Sequence, residues 1–197
     1  MGIGPIGNSN VIIKRKFRFL ATFTPPGDLG GGNEEQSFRN YVKVANRPQL
    51  DIDETEIHFL NGITYIPGKG RWQPLSVTYY DVADEKLKPL YDWVLSIYDF
   101  NAAAGSGDTS DSGNLPQTEK LGWAGTGRIE MLDGCGQIME RWTLQDVWPQ
   151  SINFGDLDYA ASDESNIEVT FRFSKAKIEG VNCMPTPQGT CKGCSFN

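Results

Sequence analysis

The sequence predicts a mainly β fold, an antiparallel β-barrel or sandwich with one flanking α-helix. Three observations carry that expectation. Side chains alternate with period two in at least six stretches, Asn-Gly and Gly-Cys-Gly stand between alternating runs, and one stretch alone repeats at three and four. The 197 residues suit one domain with a sizeable core. They divide into an arm over 1–10, a β domain over 11–178 with an insertion at 101–119, and a cysteine-bearing tail over 179–197.

Val11, Ile13, Phe17, Phe19, Ala21 and Phe23 share one parity, and Lys14, Lys16, Arg18 and Thr22 the other, so Val11 to Phe23 reads as a long half-buried strand. Pro25-Pro26-Gly27 and Gly30-Gly31-Gly32 end it, because proline removes a donor and glycine removes side-chain restraint. Tyr41 to Val44 makes a short strand that stops near Pro48. Over Ile52 to Leu60, Glu54, Glu56 and His58 alternate with Ile57 and Phe59, and Ile63 to Ile66 follows Asn61-Gly62. Both turn residues tolerate positive φ, which marks a hairpin. Leu75, Val77 and Tyr79 alternate with Ser76 and Thr78 in a further strand.

Leu87, Leu90, Tyr91, Val94, Ile97 and Tyr98 then fall on one helical face, with Pro89 confined to the first turn by its missing N–H. The insertion, rich in Ala, Gly, Ser and Asp, has almost nothing to bury and reads as a mobile surface loop. Gly127 to Asp133 and Gln137 to Trp148 pair through Gly134-Cys135-Gly136. Ile167, Val169, Phe171 and Phe173 alternate with Glu168, Thr170, Arg172 and Ser174 in the last strand.

Charge and motif spacing exclude several activities. Eighteen Lys and Arg against 25 Asp and Glu give a net charge of −7, the wrong sign for an adhesive grip on phosphates. No apolar stretch is long enough to cross a bilayer, and Met1 to Asn10 lacks the regions of a secretory signal. Ile6 stands where myristoylation needs Ser or Thr, so the chain reads as soluble and made in the cytoplasm. Gly2 to Gly7 spells GxGxxG, but no strand precedes it and Pro5 interrupts the turn. Gly62 to Lys69 is one residue too long for a P-loop, and Gly70 replaces the hydroxyl residue that would hold magnesium. Asp51, Asp53, Glu54 and Glu56 lack the glycine and ligand spacing of an EF-hand and read as a solvated strand face. No nucleophile is placed beside His58, the sole histidine. No catalytic residue, metal ligand or cofactor is assigned.

The cysteines carry a sharper signal. Cys135 lies at a hairpin tip, and Cys183, Cys191 and Cys194 fall in the Pro/Gly-rich tail. Cys191-Lys192-Gly193-Cys194 is a CxxC, yet a thioredoxin-type site needs a helix N-terminus within a βαβ unit to stabilise its thiolate. Disulfides within or between chains, a four-cysteine zinc site and inert thiols all stay open.

Arg71-Trp72-Gln73-Pro74-Leu75, Leu90-Tyr91-Asp92-Trp93 with Ile97-Tyr98, and Trp142-Thr143-Leu144 leading to Trp148-Pro149-Gln150-Ser151-Ile152-Asn153-Phe154-Gly155 resemble the tail tube proteins of contractile-tailed bacteriophages. Leu157-Asp158-Tyr159 and Ile167 to Phe173 are similar to that family as well, so the resemblance runs from about Val11 to about Lys175. It implies a structural, non-enzymatic subunit that assembles into stacked hexameric rings, a conduit for DNA ejection inside a contractile sheath. The type VI secretion protein Hcp is a structural relative. An extended hairpin and terminal arms reach neighbouring subunits in that family; by position, Glu56, His58, Asn61, Gly62, Tyr65 and Lys69 belong to the hairpin here.

The partners implied are further copies of the chain, the sheath protein, baseplate and tail terminator proteins, and viral DNA passing through the lumen without sequence-specific binding. No membrane is implied, and the place is the virion tail, assembled in the host cytoplasm. An acidic lumen would keep DNA from adhering, and ring closure would pair strand edges that otherwise invite aggregation. The glycine-rich start, the insertion and the tail depart from the family pattern. They keep a baseplate tube initiator and a type VI secretion tube protein as alternatives, with a small thiol oxidoreductase or a zinc-binding module from a different class. Cys135, Cys183, Cys191 and Cys194 are candidates for disulfides between subunits, or between tube and sheath, once the reducing cytoplasm is left behind.

Overall fold

The computed structural model describes residues 14–27, 39–83, 85–98, 122–160 and 162–179. Among them are nine strands: β1 (Phe19–Thr24), β2 (Val42–Ala45), β3 (Leu50–Phe59), β4 (Gly62–Trp72), β5 (Leu75–Tyr80), β6 (Gly125–Leu132), β7 (Ile138–Asn153), β8 (Asn166–Arg172) and β9 (Lys175–Glu179). One α-helix, α1 (Lys88–Ile97), follows a short 3-10 turn at Glu85–Leu87. Each ladder is antiparallel, so the expected fold class is the observed one. The arm over 1–10, the insertion over 101–119 and residues 180–197 of the tail lie outside the described residues.

The main sheet runs β1-β6-β7-β8-β5-β2, with β9 beside β7. β7 joins its two halves because it is 16 residues long. Its first part pairs with β6 and β9, its second with β8. Between them Asp146 takes a φ of 53°, and the ladder to β6 shifts register opposite it. A left-handed residue at a bulge bends a strand, which re-aims the second part of β7. Pro149 lacks an N–H, and the ladder to β8 shifts again between Pro149 and Ser151.

The sheet curls until β1 lies over β8, three strands away: the Phe23 and Phe171 rings stack with centroids 4.3 Å apart. Alternate residues of β1, β5 and β8 fill the interior, among them Ala21, Val77, Tyr79, Ile167 and Val169. These are the parities that period two assigns to the core. Burial also pushes the Tyr79 hydroxyl far above its ordinary pKa.

Two expectations need correction. The first strand is shorter than Val11 to Phe23: the Arg18 N–H donates to the Arg15 carbonyl at 3.3 Å, closing a turn, and the ladder to β6 begins only at Phe19. β6 ends at Leu132, whose N–H reaches the Arg18 carbonyl, so β6 offers no strand partner upstream. Phe17, counted with the core parity, is 74% exposed. The helix face is only partly the expected one: Leu87 and Leu90 are buried and Tyr91 and Ile97 pack against the core, but Trp93 is buried beside them. Its buried stripe is Leu87, Leu90 and Trp93, whereas Tyr98 lies beyond the last turn and is exposed. Pro89 does occupy the first turn. Trp93 donates from Nε1 to the Trp123 carbonyl at 2.9 Å and packs on Phe171 and on Gly125. A Cβ at Gly125 would strike both the Thr24 carbonyl and this indole.

Glu140 is a deeply placed acid that holds several elements together. Its side chain is 4% exposed and accepts from Lys14 and from the Trp142 indole, with Arg47 at 3.6 Å. Burial works to raise its pKa, and the hydrogen bonds from Lys14 and Trp142 with the charges of Lys14 and Arg47 outweigh it, leaving it below 4.5. A depressed carboxyl stabilises the fold above its unfolded pKa, and that stabilisation is lost as pH falls through the folded value. Glu140→Gln is therefore expected to cost about 1 kcal/mol at pH 7, reduced from a fully buried pair by the solvation of Lys14 and Arg47. The difference should shrink below pH 4.5, as urea midpoints measured at pH 7 and pH 3.5 would show.

Candidate assembly interface

β3 and β4 form a sheet of their own, separate from the curled sheet. The 10 residues of β3 and all but Trp72 of the 11 in β4 are exposed. At about 3.3 Å per residue, the ribbon extends about 33 Å. Asp51 accepts from Gln49 and Gln73 at its base, and Arg71 lies 3.5 Å from Asp53. Asp51 and Asp53 are thus tethered carboxylates on an exposed strand, and no metal-binding group of three or more ligands occurs among the described residues.

Residues directly opposite in an antiparallel ladder share a face, so the register defines two faces. Phe59–Gly62, Ile57–Thr64 and Thr55–Ile66 make one. It carries no charge, yet Ile57, Phe59 and Ile66 are 46%, 74% and 45% exposed. His58–Ile63, Glu56–Tyr65 and Glu54–Pro67 make the other, where His58 Nε2 lies 3.7 Å from Glu56. The ribbon is therefore apolar on one side and acidic with apolar inserts on the other.

The hairpin residues proposed from sequence are all here, and the structure sorts them. Glu56, His58 and Tyr65 stand on the acidic face, Gly62 on the uncharged one, Asn61 in the turn, and Lys69 within the register shift between the Glu54–Pro67 and Ile52–Gly70 pairs. The turn itself differs from the expected one. Phe59 pairs with Gly62, so Leu60 and Asn61 form the loop, and Leu60 takes the left-handed conformation at φ 50°. Asn-Gly marks the place, while the strain falls on a leucine that is 91% exposed. Alternation puts Ile57 and Phe59 on one parity but does not say what lies opposite it, and here they stand exposed.

Cys135 sits in the β6–β7 turn, where Asp133 accepts the N–H groups of Cys135 and Gln137 at 2.7 and 2.8 Å. It is disulfide-bonded. Cys183, Cys191 and Cys194 lie outside the described residues. Leu157 and Tyr159, in the loop between β7 and β8, are fully exposed, and Phe154 before them stacks on Tyr91.

A chain in the cryo-EM structure of the anti-feeding prophage tube-terminating cap aligns over 90% of this chain and 98% of its own, with a TM-score of 0.61 and 16% identity. A chain in the sheath-tube complex of an extracellular contractile injection system, PVC, aligns over 91% and 100%, at 0.58 and 16%. The fold is that of contractile injection tube proteins. A chain in the PVC sheath/tube terminator extends the match, covering 85% of this chain and 97% of its own at a TM-score of 0.60 and 14% identity. No family model and no curated protein matches the sequence. These alignments cover 85–91% of this chain, and among its described residues the β3–β4 ribbon is a separate sheet left exposed on both faces.

Proposed function

We propose that this chain is the repeating tube subunit of a contractile injection machine, self-assembling into stacked rings. The β3–β4 ribbon carries the reading. A two-stranded ribbon is marginal in water, and a long one with Ile57, Phe59 and Ile66 exposed on an uncharged face gains its stability by docking on something else. The tube fold supports a second copy as that something. The machine the sequence resembles is the contractile phage tail, in which hexameric rings of the subunit form the DNA-ejection conduit. Sheath surrounds such a tube, baseplate and terminator proteins bound it, and the subunit performs no enzymatic step. The excess of acids over bases favours a lumen to which DNA does not adhere. Cross-linking through the tail cysteines in the virion belongs to the same proposal.

A place at one end of the tube, as initiator or terminator, is the second reading, since the fold also matches chains in baseplate and cap structures. Negative-stain microscopy of the purified full chain, with and without reductant, separates the two. Stacked rings or tubes in reductant are the expected result and would assign assembly to noncovalent contacts. Unstacked rings would favour a tube end, and monomers in both conditions would overturn the repeating-subunit reading.

A further inference from the structure

Among the described residues the curled sheet is not closed. β1 and β2 end its strand path, approach one another and form no ladder there. Between them runs a groove of about 520 Å³, with Phe17, Val44 and Met131 supplying apolar surface and Lys16, Lys43 and Arg47 supplying positive charge. Phe17 and Val44 are 74% and 50% exposed. Among the described residues, Lys43 lies 3.4 Å from a well-exposed Glu164, and Arg47 shares Glu140 with Lys14, so acids there only partly offset these cations.

The acidic face of the ribbon has the converse composition. Glu54 stands opposite Pro67 and Glu56 opposite Tyr65, and the His58–Ile63 pair follows toward the tip; Tyr65 and Ile63 are 55% and 52% exposed. This face cannot fold back into its own groove. β3 starts three residues after Arg47 and, held straight by its ladder to β4, carries Glu56 about 20 Å beyond Leu50 at 3.3 Å per residue. We infer that the groove between β1 and β2 receives the acidic face of the β3–β4 ribbon of a second copy, with Glu54 and Glu56 against Lys16 and Lys43 and with Ile63 and Tyr65 against Phe17 and Val44. The contact follows interface logic: an apolar centre excludes water, and opposite charges at the rim set register and exclude wrong pairings. This inference rests on self-assembly, and adds which two surfaces meet.

Charge exchange tests it on the full chain, by sedimentation velocity across a concentration series. Glu54→Lys with Glu56→Lys, and separately Lys16→Glu with Lys43→Glu, should each weaken assembly about 100-fold, the scale of like charges forced together at an interface. All four substitutions on one chain should restore assembly to within about tenfold of wild type, because each reversed ribbon then meets a reversed groove. Lys43 also contacts Glu164 and Asn166, so Lys16→Glu alone is the control that leaves those contacts intact, and thermal unfolding of each variant checks the fold. Additive loss in the fourfold variant would overturn the groove assignment, as would a wild-type response to either charge reversal. Loss confined to the groove variants would also overturn it and assign the groove to a different acidic partner. Absence of assembly in the wild type would instead fail the tube-subunit reading itself.

Discussion

Trp93→Ala is expected to destabilise the fold by about 3–5 kcal/mol, the range for removing a large aromatic from a core. The indole is wholly buried, 5.7 Å from the Phe171 ring, and its Nε1 satisfies the Trp123 carbonyl. Alanine leaves a cavity between α1 and the sheet and strands that carbonyl without its donor. Domains of this kind have roughly 5–15 kcal/mol in total, so the substitution takes a large share of it. Trp93→Phe keeps most of the volume and loses the hydrogen bond, and should cost about 1–3 kcal/mol. Urea midpoints at constant m-value would measure both. A change below 1 kcal/mol for the alanine variant would mean that α1 is only loosely attached and that Trp93 is not the contact anchoring it.

Ile57→Asp combined with Phe59→Asp should have the opposite profile. Both side chains are exposed on the uncharged face of the ribbon, so the unfolding free energy of the isolated chain should change by no more than about 0.5 kcal/mol. If that face docks on a neighbour, each side chain contributes about 1.5–3 kcal/mol on burial, and their joint loss weakens each contact by roughly 100-fold to 10,000-fold. Sedimentation velocity at a concentration where the wild type assembles would show the variant as monomer. Unimpaired assembly would place the contacts elsewhere, and the exposed Leu157 and Tyr159 would become the next surface to change.

Much of the architecture is legible in short range. Alternation marks β5 and β8 because Leu75, Val77, Tyr79, Ile167, Val169 and Phe171 each face the interior in register. Gly134-Cys135-Gly136 marks the β6–β7 turn because Gly136 supplies the positive φ and Asp133 caps the backbone. Proline marks the start of α1 for an equally local reason. The misjudged places are those where a partner segment decides. Lys14 to Arg18 alternates like a strand, but β6 ends before it can pair with them. Trp93 lies off the helix face expected from sequence, which takes in the buried Leu87 and Leu90 but continues through Tyr91 and Val94, both only half-buried.

Sequence periodicity, turn chemistry and charge therefore define the strands, the helix and the hairpin, since each depends on side chains within a few residues of one another. Burial does not. Whether Ile57 and Phe59 face a core or solvent, whether Trp93 or Tyr98 anchors α1, and whether β1 and β2 join or leave a groove depend on which distant segments come to lie opposite. Those outcomes belong to the tertiary structure, because water is excluded only where two surfaces from different parts of the chain, or from different chains, meet.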